Sequence, residues 1–332
     1  VKTTITIAGG GLAGLSLGIA LQQRDVDVLI HEAATYPRHR VCGEFISGVT
    51  VECLDRLGIA DCLADATRLV RSSWHDEAGL LGKMQVEGRG ISRWILDDRL
   101  QKKFLAFGGR VATNSRIKPG EGIVWAAGRP RRPGHWIGLK CHAQRLHLDD
   151  DLEMFAAANG YIGLAKIEEG KVNICGLFKK NQQPNGKGPA MLLSALRHGG
   201  LNDLADRLGS ADLDESSFCG VAGFELGRQR APAFSIGDAC TMIPPFTGNG
   251  MSMAFESAEC ALQPALDYAE GRKSWQEAAI EVAAAQAKRF RRRLLVASGL
   301  HKLLTTRKGL QFSTSLARRR LIPYQTILQL VR

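Results

Sequence analysis

The chain has 332 residues, 45% of them apolar and 37 of them glycine, a length that suits two fused lobes or one large α/β unit. No stretch approaches the roughly 18 uninterrupted apolar residues of a membrane span, and no repeat or low-complexity tract argues for disorder. The net charge of +11 is local: residues 282–332 hold 12 Lys/Arg and no Asp or Glu, leaving 32 basic against 33 acidic residues elsewhere.

In chain order, residues 3–8 read as a strand that starts at once, so no secretory leader is expected. A glycine turn, a helix over about 14–24 and a strand at 26–30 complete a β-α-β unit. A helix near 50–57 is closed by Gly58. Residues 68–92 look strand-rich, punctuated by Gly79, Gly82, Gly88 and Gly90. A helix over 96–107 precedes a buried strand at 123–128. Residues 135–180 alternate like antiparallel strands, a helix spans 189–196, a strand at 233–236 runs into Gly237-Asp238, and residues from 250 onward read as mainly helical. The eight cysteines form no Cys-x-x-Cys pair, which argues against structural zinc and for a reducing cytoplasm. No metal site is expected.

The glycines of Gly9-Gly10-Gly11-Leu12-Ala13-Gly14 sit between the first strand and the first helix. The first permits a tight turn, Gly11 lets backbone approach a pyrophosphate, and Gly14 lets helix and strand pack closely. The helix N-terminus favours the phosphate charge. Glu32, at the end of the second strand and followed by Ala33, stands where a carboxylate accepts hydrogen bonds from ribose hydroxyls. This pattern alone does not separate FAD from NAD.

The segment Gly237-Asp238-Ala239 through Pro245, Gly248, Asn249, Gly250 and Met251 resembles the late FAD motif of glutathione-reductase-type flavoproteins. That resemblance implies an aspartate on a ribityl hydroxyl and a turn wrapping the flavin's pyrimidine edge. The segment Pro37-Arg38-His39-Arg40-Val41-Cys42-Gly43-Glu44 is similar to the PR-x-x-x-CGE stretch of the geranylgeranyl-reductase-like branch of the group A flavin monooxygenase superfamily. It implies that Arg40 contacts the ribose or phosphate side, and that Cys42 and Gly43 approach the isoalloxazine. Arg93, in Ser92-Arg93-Trp94, looks like the family's arginine at a helix head, and Ala127 and Gly128 are further cofactor contacts. Many relatives carry Asp-Gly there, where this chain has Ala127-Gly128-Arg129. The resemblance implies NADPH or NADH as a possible electron donor, and the departure at Ala127-Gly128-Arg129 speaks against direct use of NADPH.

The expected fold is α/β: a glutathione-reductase-type FAD-binding Rossmann domain from 1–70, 93–130 and 226–265, an inserted antiparallel-sheet substrate domain from 71–92 and 131–225, and a basic helical segment at 266–332. The expected activity is FAD-dependent oxidation of a hydrophobic small molecule, first as a monooxygenase. The alternatives are a reductase or dehydrogenase of a C–C bond in a prenyl-like or polyketide-like substrate, and a non-catalytic flavin-binding protein. No acid–base set is legible. Cys42 and His142 are catalytic candidates, with His147 beside them, and residues 136–141 are expected to line the substrate cavity. The basic tail is either a solvated face on a packed segment or a peripheral contact for an anionic membrane. Nucleic acid is not an expected partner.

Overall fold

The computed structural model describes residues 2–129, 134–180, 185–223, 226–228 and 231–331. Parts of the expected substrate segment (131–133, 181–184 and 224–225) therefore lie outside the described residues.

The first unit is a parallel sheet built from β1 (Ile5–Ala8), β2 (Val28–His31), β6 (Arg110–Ala112) and β7 (Ile123–Trp125), in the order β6-β2-β1-β7. Ile5 and Ile7 are fully buried in its centre. Helix α1 (Leu12–Gln22) is apolar all round and buried from Leu12 to Leu21, as a helix between two layers must be. It packs on α3 (Arg93–Ala106) and α6 (Gly250–Ala269). The strand expected at 233–236 is only a bridge: Ser235 pairs with Trp125, with Trp125 N donating to Phe234 O at 2.8 Å and Ile236 N to Trp125 O at 3.0 Å. Pro232, with no N–H to give, and Gly237 at φ 63° bound the segment and stop the ladder.

The second unit is an eight-stranded sheet. Its members are β3 (Phe45–Ser47), β4 (Thr67–Asp76), β5 (Gly79–Gly90), β8 (Trp136–Gln144), β9 (Leu152–Ala157), β10 (Gly160–Lys166), β11 (Val172–Lys179) and β12 (Asp212–Ala222), ordered β12-β8-β11-β10-β9-β4-β5-β3. All neighbours are antiparallel except β4 and β9. The period of two divides its faces. Ile162, Leu164, Ile174, Leu139 and Cys141 pack under α4 (Pro189–His198) and α5 (Asn202–Gly209). Tyr161, Gly163, Ala165, Cys175 and Leu177 face a large cavity instead.

Between the units, α2 (Val51–Arg56) is capped by Thr50, whose side chain accepts from Cys53 N, and it ends before Gly58 at φ 67°. Helix α3 starts three residues before its expected position because Ser92 accepts from Ile95 N as its cap. Helix α7 (Trp275–Thr305) begins with a Ser274–Glu277 capping box and runs for about 45 Å. Its first half joins the Rossmann core through Ala278, Ala279 and Val282. Its second half leads to α8 (Arg307–Arg318) and α9 (Tyr324–Leu330), which lie against β5.

Candidate active site

A cavity of about 1040 Å³ runs from the glycine turn after β1 to the inner face of the large sheet. Small-molecule sites span roughly 300–1,000 Å³, so this volume suits a dinucleotide together with a second molecule.

The glycines divide by what they touch. A Cβ on Gly9, which has φ +112°, would sit 2.3 Å from Ala126 O, and one on Gly14 would sit 2.0 Å from Gly9 O. These two positions serve the packing of strand and helix, and Gly14 does not line the cavity. At Gly11 the nearest atom is Arg93 Nη2 at 3.8 Å, and at Gly43, Gly128 and Gly250 nothing lies within 4 Å. All four line the cavity, with Leu12, Ala13, Glu32, Ala33 and Ala127. A side chain at any of them would fill a cradle that bare backbone leaves open.

Two helix N-termini frame this cradle. Neither α1 at Gly11 nor α6 at Asn249 has a side-chain cap or an acidic residue in its first turn, so their free N–H groups suit anionic or electron-rich groups.

Charge collects at the same end. Glu32 is 3% exposed and accepts from Gly10 N at 2.8 Å, Ala34 N at 3.1 Å and Arg38 Nη2 at 2.8 Å. Asp97, fully buried, takes a two-pronged contact from Arg93 at 2.6 and 2.8 Å and one from Arg40 Nε at 3.0 Å. Three guanidiniums thus face two carboxylates. Arg38 Nε and Arg40 Nη2 are buried without a hydrogen-bond partner, which marks a place for an added acceptor. Burial pushes the Arg40 guanidinium down, and Asp97 beside it offsets part of that. Across the cavity, burial pushes the Asp238 carboxyl up against the charges of Arg93 and Arg129. A hydroxyl donor would satisfy it. These residues fit FAD: Gly11 and α1 for the pyrophosphate, Glu32 for the ribose, Asp238 for the ribityl chain, and Pro245, Gly248, Gly250 and Met251 at the ring end.

Arg38 was not singled out from the sequence, although it stands in the motif that was. Tyr36, whose hydroxyl donates to Gly10 O, also gave no signal. Asn249, expected to touch the cofactor, is fully buried and does not line the cavity. Its amide donates instead to Thr247 O at 3.1 Å and Val331 O at 2.5 Å.

The Cys42–Glu44 loop is fixed from behind. Glu44 has φ 52°, a costly conformation for a residue with a Cβ, and it is held by four contacts. Arg93 N donates to Oε1 at 3.0 Å and Ile91 N to its carbonyl at 3.1 Å, while His142 Nε2 lies 2.6 Å and Lys140 Nζ 3.4 Å from the carboxylate. Burial alone would raise the Glu44 carboxyl, but the His142 hydrogen bond and the Lys140 charge hold it below the ordinary range. Asn173 Nδ2 also donates to Cys42 O at 3.0 Å.

His142 is buried in this support and does not line the cavity, so the structure places it behind the site rather than in it. His147 is exposed beside Asp149. Cys42 does line the cavity, but burial pushes its thiol up, only partly offset by Arg93, which disfavours the reactive thiolate. The expectation for residues 136–141 is corrected: only Gly138 reaches the cavity. Leu139 and Cys141 point to the other face of the sheet, and Lys140 is engaged with Glu44.

The other half of the cavity is uncharged and mainly apolar. Trp74, Met84, Met154 and Leu177 come from the sheet, and Leu303, Leu310, Ala317, Leu321, Ile327 and Val331 from the tail. The tail's part as a wall gave no sequence signal. Tyr161, 3% exposed, brings a hydroxyl without a hydrogen-bond partner.

Residues 2–78 match the family model described as FAD binding domain. Among curated proteins, menaquinone reductase of Mycobacterium tuberculosis is 27% identical over 121 residues, 34% of this chain and 29% of the relative's length. Among solved structures, Klebsiella pneumoniae HpxO, complexed with FAD and uric acid, superposes with a TM-score of 0.74 at 17% identity, covering 99% of this chain and 95% of that one. A geranylgeranyl bacteriochlorophyll reductase-like protein of Thermoplasma acidophilum gives a TM-score of 0.74 at 18% identity, over 99% and 95%. PqsL of Pseudomonas aeruginosa gives 0.68 at 15%, over 98% and 99%. The chain therefore carries an FAD-binding domain over residues 2–78, within a fold shared with FAD-complexed HpxO, with PqsL, described as a probable FAD-dependent monooxygenase, and with a geranylgeranyl bacteriochlorophyll reductase-like protein.

Proposed function

We propose that this protein is an FAD-dependent oxidoreductase that acts on a neutral, apolar small molecule, most simply as a monooxygenase. The observation that carries this reading is the partition of the cavity. Its charged lining residues, Glu32, Arg38, Arg40, Arg93, Arg116, Arg129 and Asp238, lie with the cradle residues, while the sheet and tail contribute no charged side chain. A charged substrate would lose its hydration there without compensation.

FAD held by these residues would supply the redox chemistry, with NADPH or NADH as the electron donor. This chain's residues hold the dinucleotide, keep the Cys42–Gly43 backbone at the cavity wall and exclude water with the tail. The sheet wall and the tail offer the substrate shape and a few buried hydroxyls, those of Ser72, Tyr161 and Ser313 among them.

A second reading, reduction or dehydrogenation of a C–C bond in a prenyl-like or polyketide-like molecule, is supported by the menaquinone reductase match and the Thermoplasma likeness. The eight cysteines, all free, suit a reducing compartment such as the cytoplasm. Among the described residues no helix is long and apolar enough to cross a membrane.

The test is to purify the full chain, measure its visible flavin absorbance, and supply apolar candidates with NADPH or NADH under ¹⁸O-labelled oxygen. Label in the product supports the monooxygenase. Product formed without oxygen supports the reductase. A protein that takes up no flavin on reconstitution overturns both.

A further inference from the structure

The C-terminal segment has two faces. From the inside of α8 and the turn after it, Leu310, Ser313, Ala317, Leu321 and Ile322 line the cavity. On the outside, Lys308, Phe312, Ser315 and Arg319 recur at spacings of four, three and four. That places them along one helical stripe, and all four are exposed. Phe312 is 59% exposed and Leu321 62%. Leu321 is thus both cavity lining and surface, which puts it at the cavity's mouth.

Beside it stand the exposed Arg319 and Arg320. Arg318 is the tie to the body, donating to both oxygens of Asp76 at 2.9 and 2.7 Å. No acidic residue occurs anywhere in 282–332. Exposed large apolar side chains set among basic ones have little use in water. They suit insertion into a headgroup layer that carries negative charge.

We propose that the outer face of α8 and the turn after it dock on an anionic phospholipid surface, so that an apolar substrate passes from the lipid past Leu321 into the cavity. Phe312 and Leu321 insert, and Lys308, Arg319 and Arg320 meet the headgroups. Asn249 holds the far end of the same segment against the flavin-side turn. The mouth and the redox end of the cavity therefore share one element. This proposal rests on the reading that the substrate is apolar, and it names the surface that delivers it.

The test is flotation of the full flavin-loaded chain with vesicles of phosphatidylcholine alone, or with about a third phosphatidylglycerol. Wild-type protein is expected to float with the anionic vesicles and not with the neutral ones. Each basic residue near the surface contributes about fivefold to partitioning, so Lys308→Glu/Arg319→Glu is expected to lower it by about 25-fold or more. Phe312→Ser is expected to weaken it severalfold. Neither variant touches the cofactor cradle, so both keep wild-type flavin absorbance and turnover of a detergent-dispersed substrate. Wild-type protein that stays in the soluble fraction with anionic vesicles overturns the proposal. So does a double variant that floats like wild type. Protein that ignores vesicles yet is retained by immobilised polyglutamate overturns it in favour of an acidic protein partner. A colourless wild-type protein would instead strike at the flavin reading, which these vesicle measurements leave untouched.

Discussion

The side-chain amide of Asn249 donates to the carbonyl of Val331 at 2.5 Å, joining the turn before α6 to the end of the chain. Its oxygen accepts from Ser47 Oγ at 3.4 Å. The residue lies between Gly248 and Gly250, both of which line the cavity. It therefore ties the cavity wall at Gly248 and Gly250 to the tail wall at Val331.

Asn249→Ala leaves the Val331 carbonyl and Thr247 carbonyl without their donor in a buried place. An unsatisfied buried polar group costs about 1–3 kcal/mol. The expected result is a melting temperature lowered by a few degrees and faster amide exchange confined to α9 and the end of α8. Flavin should remain bound, because the amide does not face the cavity. Exchange in α9 that matches wild type would show that this bond does not hold the tail.

The cradle glycines separate fold from ligand. In Gly11→Ala the new methyl meets no protein atom closer than 3.8 Å, so the fold should melt within about a degree or two of wild type. The methyl enters the space proposed for the pyrophosphate, and flavin affinity should fall at least tenfold, a loss of about 1.4 kcal/mol. In Gly14→Ala the methyl lies 2.0 Å from Gly9 O, and overpacking of that kind costs about 1–3 kcal/mol or more. Titrating apoprotein with FAD beside a thermal melt distinguishes the two. A Gly11→Ala protein with wild-type affinity would move the pyrophosphate elsewhere.

What could be read from the chain was local. The spacing of Gly9, Gly11 and Gly14, and Glu32 one strand later, lie within a single β-α-β unit, where backbone geometry alone dictates which residue types fit. Asp238, Gly248 and Gly250 came from family likeness, and the structure sets them on the wall of the same cavity. What could not be read joins distant segments. Glu44 and His142 are 98 residues apart, and Asn249 and Val331 are 82 apart. Nothing near either member announces its partner. In β8 the alternation is legible, but it does not say which residues meet the cavity, and of 136–141 only Gly138 does. The tail's leucines suggested a packed helix, but periodicity does not say what a helix packs against.

The Glu44 cluster makes a pH-dependent brace. Replacing Glu44 with Gln keeps the shape but leaves the fully buried Lys140 facing an amide, and breaking a buried ion pair costs about 3–5 kcal/mol. The Glu44 carboxyl is held below its ordinary range in the folded protein. Its stabilisation is therefore complete above the unfolded value of about 4.3 and is lost as pH falls through the lower folded value. Urea midpoints measured from pH 7 down to pH 3 should fall for wild type in the acid range, and the difference from Glu44→Gln should shrink there. A constant difference across that range would remove Glu44 ionisation from the account.

His301 offers a second titration of known sign. It is 9% exposed, packed with Trp136, Tyr161 and Phe246 at ring-centroid separations of 5.2, 6.2 and 6.3 Å, and its Nδ1 has no hydrogen-bond partner. Burial lowers its pKa from 6.5 to about 4. Below pH 6.5 the unfolded chain takes up a proton that the folded protein refuses, so stability falls as pH drops and levels off near pH 4. The displacement corresponds to roughly 3 kcal/mol over that window. His301→Phe removes the proton uptake and an unsatisfied nitrogen while keeping an aromatic ring beside Phe246. The variant should match or exceed wild-type stability at pH 7, and its advantage should grow by a few kcal/mol as pH falls to 4. His39, also displaced to about 4, contributes a similar slope to both proteins, so the difference between the two curves is the quantity to read. Parallel curves would mean that His301 takes up its proton as readily in the folded protein as in the unfolded chain.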